Sequence, residues 1–219
     1  MLALLAACLP PADLPAQPPG PQPAQRSSRV AFDPGLSDPF FASEISLLPW
    51  WIVENPDGTF ENTLGGPEAP ADIPRLKQTA RCWTRFQYPH EIRFCEAELT
   101  ESGELRIFLH DETASTFDNL EITVKDGRFR CQYWTTYPSP PGNTGLVWVT
   151  KKQRLTLDRK ICRPGDLLKG RVDFTCEQVD TARPASRPVR RTIRIQGVFM
   201  AEIRQKLERL EKRLKRRFD

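Results

Sequence analysis

Apolar and polar residues alternate along much of the chain beyond residue 30. Leu105, Ile107 and Leu109 take one parity, and Arg106, Phe108 and His110 take the other. Leu120, Ile122 and Val124 alternate with Glu121, Thr123 and Lys125. The pair Asp126-Gly127 follows, then Phe129, Cys131 and Tyr133. Alternation on both sides of an Asp-Gly pair is a hairpin signal, because both residues tolerate positive φ. Leu168, Gly170, Val172, Phe174 and Cys176 share a face opposite Lys169, Arg171, Asp173, Thr175 and Glu177. This is the pattern of a half-buried strand, entered through the turn Pro164-Gly165-Asp166. Ile193, Ile195, Gly197, Phe199 and Ala201 repeat it after a polar stretch at 180–191. Weaker strands are expected near 44–54, 79–88, 91–99, 145–151 and 153–158. Short strands at even spacing, with no interleaved helical period, predict an antiparallel β-sandwich or barrel-like domain over residues 29–200.

The period changes at Ala201. Ile203, Leu207, Leu210, Leu214 and Phe218 recur at helical spacing, and Glu202–Lys206, Glu208–Lys212 and Glu211–Lys215 are supportive i,i+4 pairs. Residues 201–219 are therefore expected to form an amphipathic α-helix about 28 Å long. Lys212, Arg213, Lys215, Arg216 and Arg217 crowd its C-terminal end. Such a helix suits an anionic membrane surface or pairing with another helix. The plainest alternative is a solvated tail.

Composition adds the ends of the picture. The chain has 219 residues, 39% hydrophobic and 27% charged, and its mean hydropathy is −0.50. No window of eighteen apolar residues occurs, so no segment reads as a membrane-spanning helix. Seven of the 21 prolines fall within residues 1–25, where Asp13 is the lone charge. Residues 9–28 therefore read as a disordered, Pro-rich linker, reaching about 60 Å from Cys8 to Ser28 at polyproline rise. The net charge of +4 is also uneven. Residues 201–219 carry eight Lys/Arg against four Asp/Glu, which leaves residues 1–200 balanced at 24 of each. Any electrostatic partner is expected at the C-terminal segment, and nucleic acid is not expected.

Residues 1–8, Met-Leu-Ala-Leu-Leu-Ala-Ala-Cys, look like the end of a secretory signal. Leu5-Ala6-Ala7-Cys8 resembles the bacterial lipobox. The resemblance implies cleavage before Cys8, lipidation of that residue and attachment to the membrane through the lipid. Leu9 in the next position implies, by the same resemblance, an outer-membrane destination. The closing run of Leu155, Leu157, Pro164-Gly165-Asp166, Gly170 and Ile195 to Phe199 resembles the last strands of small uncharacterised secreted β-sandwich domains of bacteria.

Six cysteines are present, at 8, 82, 95, 131, 162 and 176, with no Cys-x-x-Cys spacing. Cys82 and Cys95 flank an expected hairpin around Tyr88-Pro89-His90, and Cys162 and Cys176 flank the Pro-Gly-Asp turn. Each pair is a candidate disulfide in an exported protein. Cys131 shares its face with Phe129 and Tyr133 and reads as a buried free thiol. The competing reading makes all five core thiols.

Little in the chain points to catalysis. His90 falls in an expected turn. His110 and Asp111 are adjacent, so their side chains point to opposite sides of an extended chain and do not converge on one ion. The stretch His110-Asp111-Glu112 reads as a polar strand end. Glu96, Glu98, Glu101 and Glu104 read as a solvated face. No phosphate-loop, dinucleotide, nucleophile-elbow or His-Glu-x-x-His motif occurs. We therefore expect no enzyme activity, cofactor or metal site.

The aromatics carry one positive alternative. Trp134 has the parity opposite to Phe129, Cys131 and Tyr133. Together with Phe40-Phe41, Trp50, Trp51 and Tyr137 it could form a platform that stacks on sugar rings. The competing reading places Trp134 beneath the 138–144 loop. The leading expectation is a non-catalytic, lipid-anchored envelope protein that binds an unspecified ligand or has a structural role. The alternatives are a carbohydrate-binding sandwich using the exposed aromatics, and a cytoplasmic domain whose basic helix binds a partner or nucleic acid.

Overall fold

The computed structural model describes residues 27–63, 66–85, 89–112, 117–136, 146–180 and 191–206. Sixteen strands occur among them. They are β1 (Ser28–Arg29), β2 (Ala31–Phe32), β3 (Ser46–Leu47), β4 (Ile52–Glu54), β5 (Phe60–Asn62), β6 (Pro67–Glu68), β7 (Leu76–Lys77) and β8 (Ala80–Arg85). They continue as β9 (Pro89–Ile92), β10 (Phe94–Leu99), β11 (Leu105–Glu112), β12 (Phe117–Lys125), β13 (Arg128–Thr136), β14 (Leu146–Leu157), β15 (Leu167–Asp180) and β16 (Arg191–Gln205).

One sheet dominates, in the order β1-β13-β12-β11-β10-β16-β15-β14-β2. It curls into a nearly closed barrel, so the barrel-like form of the expected fold is the one observed. The seam lies between β13 and β14, and residues 28–32 cross it. Ser28 pairs with Phe129 on β13, while Ala31 and Phe32 pair in parallel with Thr156 and Leu157 on β14. Gln153 ties the same gap through its side chain. Its Oε1 accepts from the Cys131 backbone N–H at 3.0 Å, and its Nε2 donates to Ser28 Oγ at 3.0 Å. Further along the seam, Tyr133 and Trp148 meet edge to face with ring centroids 4.9 Å apart.

The long alternating runs become the long strands. Asp126 and Gly127 adopt φ of 51° and 69° in the β12–β13 turn, and Gly165 adopts 88° ahead of β15. The inward parity fills the barrel. Phe129, Phe174, Phe199, Ile107, Leu109, Leu120, Ile122, Leu155 and Leu157 are among its fully buried side chains. A barrel of this width holds packed side chains. Two glycines on the inward parity are there for want of space. Gly170 lies opposite Phe199 and under its ring, and a Cβ on Gly197 would sit 2.5 Å from the Cys82 Cα.

Two expectations change here. β16 runs through Gln205, so residues 201–205 are strand and the expected helix does not begin at Ala201. Ala97 pairs in parallel with Ile203, and Ile203 is buried in the interior. Ala201 and Ile203 extend the period-two series from Ile193, and β10 supplies backbone partners that an isolated helix start would lack. Lys212, Arg213, Lys215, Arg216 and Arg217 lie outside the described residues. The N-terminal change is smaller: the sheet starts at Ser28, within the expected linker.

The expected hairpin forms between β8 and β9 but ends at Ile92, short of Cys95. β8 pairs with β16 and β9, with Cys82 opposite Ile92 and Gly197. Arg93 interrupts the path between β9 and β10, and Cys95 ends opposite Leu109. His90 therefore sits in a strand rather than a turn.

Residues 38–77 wrap outside the barrel. A 3-10 helix at Pro39–Ala42 is capped by Asp38, which accepts from Phe40 N–H, and Phe40 packs on Val198 and Met200 of β16. Beyond it, β3 pairs with β7, and β4, β5 and β6 form a small separate sheet. This excursion is what places Trp50 and Trp51 over the barrel wall.

Candidate ligand-binding groove

The outward parity of β10, β11 and β13 carries an aromatic row. Phe94 and His110 are directly opposed, with ring centroids 5.7 Å apart. His110 stacks on Phe108 at 5.2 Å, and Phe108 reaches Trp134 on β13 at 5.6 Å across the intervening β12. Aromatic pairs at these separations hold one another in fixed orientations. Trp134 is half-buried rather than covered.

Over the Phe94–His110 end stands the excursion. Leu48, Pro49, Trp50 and Trp51 on one side, and Arg75, Leu76 and Lys77 on the other, enclose a groove of about 410 Å³ against Arg93, Phe94, Glu96, His110 and Arg204. Trp50 and Trp51 meet edge to face at 5.8 Å and are 38% and 40% exposed. Large side chains so exposed on a folded domain leave apolar area available to a ligand. Of the six aromatics expected to form the platform, Trp50 and Trp51 line this groove, Trp134 ends the aromatic row that leads into it, Phe40 is buried against β16, and Phe41 lines an adjoining hollow instead. Tyr137 lies outside the described residues. Phe94, Phe108 and His110 complete the surface and were not anticipated, although their alternation with Leu105, Ile107 and Leu109 already placed two of them outward. Trp83, 57% exposed, lies outside this groove, beside Asp38 and Arg171.

The barrel interior changes character along its axis. One end is wholly apolar, around Leu105, Val124, Phe129, Leu157, Phe199 and Ile203. The other end carries polar side chains at inward positions. Asp118 is 1% exposed and takes hydrogen bonds on its two oxygens, from a ring nitrogen of His90 and from the Tyr133 hydroxyl. Asp111, its direct cross-strand neighbour, is 3% exposed and is paired with Arg93 at 3.0 Å. Each buried carboxylate thus has a cationic or donating partner, as burial of charge requires. Thr84 lies opposite His90, Thr135 opposite Asp118 and Thr150 opposite Cys176, and these three hydroxyls are buried with no hydrogen-bond partner. His110 and Asp111 do point to opposite sides, but Asp111 belongs to this buried layer and is not part of a merely solvated strand end. A carboxylate at the parity of Leu120, Ile122 and Val124 was the sequence signal for Asp118.

The five described cysteines are all free thiols. Cys82 and Cys95 both face the interior on different strand partners, so the hairpin geometry assumed for their bridge does not occur. Cys162 lies in the 158–166 connection and Cys176 nine residues up β15 from Leu167, about 30 Å at strand rise, whereas a disulfide needs Cα atoms within about 7 Å. Cys131 is a buried free thiol, as its parity implied. Burial pushes the thiols of Cys82, Cys95, Cys131 and Cys176 far up, so they carry no thiolate at neutral pH. Cys8 lies outside the described residues.

Glu96 lines the groove, while Glu98 pairs with Lys206 at 3.4 Å and Glu104 with Arg106 at 2.9 Å. No cluster of three or more His, Cys, Asp or Glu suited to a metal ion occurs among the described residues. Comparison of the chain with protein-family models, with curated proteins and with solved structures found no match.

Proposed function

We propose that the chain is a non-catalytic binding module, held at the cell envelope by a lipid on Cys8, and that it binds carbohydrate in the Trp50–Trp51 groove. The observation that carries the binding half is the exposed Trp pair facing Phe94 and His110 across one groove, continued as a stacked row to Trp134. Sugar rings present C–H faces that pack on aromatic faces, and their hydroxyls suit the polar rim of Glu96, Arg75 and Lys77. The non-catalytic half is supported by what burial does to the reactive groups. The buried thiols are held protonated, and both oxygens of Asp118 are engaged by His90 and Tyr133.

The test is titration of the full chain with a panel of soluble polysaccharides, read by Trp fluorescence and calorimetry. Binding that falls about tenfold in Trp51→Ala, with the urea midpoint unchanged, is the expected result. No binding by any polymer, or binding indifferent to Trp50→Ala and Trp51→Ala, removes the carbohydrate reading. Incorporation of labelled palmitate in the expressing bacterium, absent in Cys8→Ala, tests the anchor.

A second reading has its own support. Five free thiols suit a reducing compartment better than an oxidising one. On that reading the domain is cytoplasmic, and its basic C-terminal segment binds a partner or nucleic acid. Fractionation of the expressing cells separates the two.

A further inference from the structure

The groove beside Trp50 and Trp51 is more cationic than a surface for neutral sugars requires. Arg75, Lys77, Arg93 and Arg204 line it against one carboxylate, Glu96. Two of these cations are committed: Arg93 is tied to Asp111, and the Arg75 guanidinium lies over the Phe60 ring at 5.7 Å. Lys77 and Arg204 are exposed and make no ion pair among the described residues. They also line the adjoining hollow, of about 560 Å³, which shares Thr79, Cys95 and Glu96 with the groove. The two hollows therefore form one trough, with the uncommitted cations in its middle and the Trp pair at one end. The far end carries Glu44 and Glu202, so the positive character is confined to the Trp half.

Arg75, Lys77 and Arg93 belong to residues 1–200, which carry equal numbers of acidic and basic side chains, so their gathering beside exposed Trp is a feature of the fold, and Arg204 joins them from the basic C-terminal segment. Lys77 reaches the trough because β7 pairs with β3 in the excursion, and Arg204 because β16 extends past Ala201 as a strand.

We propose that the trough takes an acidic sugar: a hexuronate unit of a polysaccharide, its ring against the Trp50–Trp51 pair and its carboxylate between Lys77 and Arg204. This rests on the carbohydrate reading of the groove. A uronate carries its carboxylate on the ring carbon next to the ring oxygen, so one unit presents a C–H face and an anionic edge together. A guanidinium and an ammonium flanking a carboxylate give charge-assisted hydrogen bonds at the edge.

The probe is a galacturonate oligomer, with its fully methyl-esterified form as the matched neutral ligand and a neutral glucan as a third. Each is titrated into the full chain at 20 mM and 200 mM salt. The acid form is expected to bind about tenfold more tightly than its ester, and Lys77→Gln with Arg204→Gln is expected to erase that preference by weakening the acid form more than the ester. Both side chains are exposed, so the double variant is expected to keep the wild-type urea midpoint. Equal affinity for acid and ester, or for the glucan, with loss in Trp51→Ala, overturns the acidic preference and leaves the carbohydrate reading standing. Acid binding that ignores both Lys77→Gln/Arg204→Gln and Trp51→Ala places the contact elsewhere and overturns the proposal. Failure of all three ligands overturns both readings.

Discussion

Replacing Gly170 with Ala tests how the barrel interior is packed. Gly170 sits on β15 directly opposite Phe199 of β16, and its φ lies outside the left-handed region, so Ala is acceptable to the backbone there. The obstacle is space. A Cβ built on Gly170 would lie 2.5 Å from Phe199 Cε2 and 2.7 Å from Cε1, with Cζ nearer still. Phe199 is fully buried, so its ring has no open direction in which to turn. Overpacking of this kind costs about 1–3 kcal/mol, and we take about 2. Phe199→Leu removes the three ring carbons nearest that Cβ, and costs about 2 kcal/mol by itself at ~0.8 per carbon. If the two effects were independent, the double variant would lose about 4 kcal/mol, the sum of the two. If the clash is the cause, the methyl fills the room that the ring vacated, and the double variant loses only about 2 kcal/mol, a coupling of similar size. Urea unfolding of the wild type, both single variants and the double variant, followed by Trp fluorescence and circular dichroism, reads this cycle. Additive losses would refute the steric account, as would a Gly170→Ala variant as stable as wild type.

The remaining expectations concern the charged and thiol groups. Asp118→Asn keeps the shape but weakens the bonds from His90 and Tyr133, and is expected to lower stability by about 1.5–3 kcal/mol in urea unfolding. A loss under about 0.5 kcal/mol would show that the network is incidental. Among the described cysteines only the half-buried Cys162 is expected to react in the native protein, slowed by the burial that raises its pKa, with Cys82, Cys95, Cys131 and Cys176 reacting only after unfolding. Denatured, unreduced protein that lacks two or more of those thiols would restore a disulfide. The hydrogen bond from Lys152 holds the Asp173 carboxyl below its ordinary range against some burial, with the charges of Lys152 and Arg194 adding to the effect. A carboxylate depressed in the folded state adds stability above its unfolded pKa, and that stability is lost as pH falls through the folded pKa. Asp173→Asn is therefore expected to flatten the acid limb of the Tm–pH curve slightly and to leave it parallel to wild type above pH 6. An unchanged acid limb would remove this group from the acid response.

What the chain's own pattern determined is the set of long strands and their faces. Period-two alternation identified β11, β12, β13, β15 and most of β16, and it put Leu109 inside and His110 outside. Asp126-Gly127 and Pro164-Gly165 marked turns whose glycines adopt positive φ. These features are local, because a strand's parity and a turn's φ are set by neighbours two or three residues away. The outward parity of Trp134 was visible for the same reason, whereas the exposure of Trp50 and Trp51 was not, since both lie in a turn outside the alternating runs. The tertiary structure alone decided how the strands close. Residues 28–32 cross the seam, β8 enters beside β16, and the long β16 pairs with β8 along one stretch and with β10 along another. Such pairings are chosen among distant segments, and alternation is equally content in a sandwich or a barrel. The same limit explains residues 201–205, where Ala201 and Ile203 fit a strand and Ile203 with Leu207 fits a helix. The backbone partners offered by β10 settled the stretch as strand. The convergence of His90 and Tyr133 on Asp118 is likewise a product of closure, since these three residues come from β9, β13 and β12. So is the groove, in which an excursion of some forty residues returns Trp50 and Trp51 to a wall built by β10, β11 and β16.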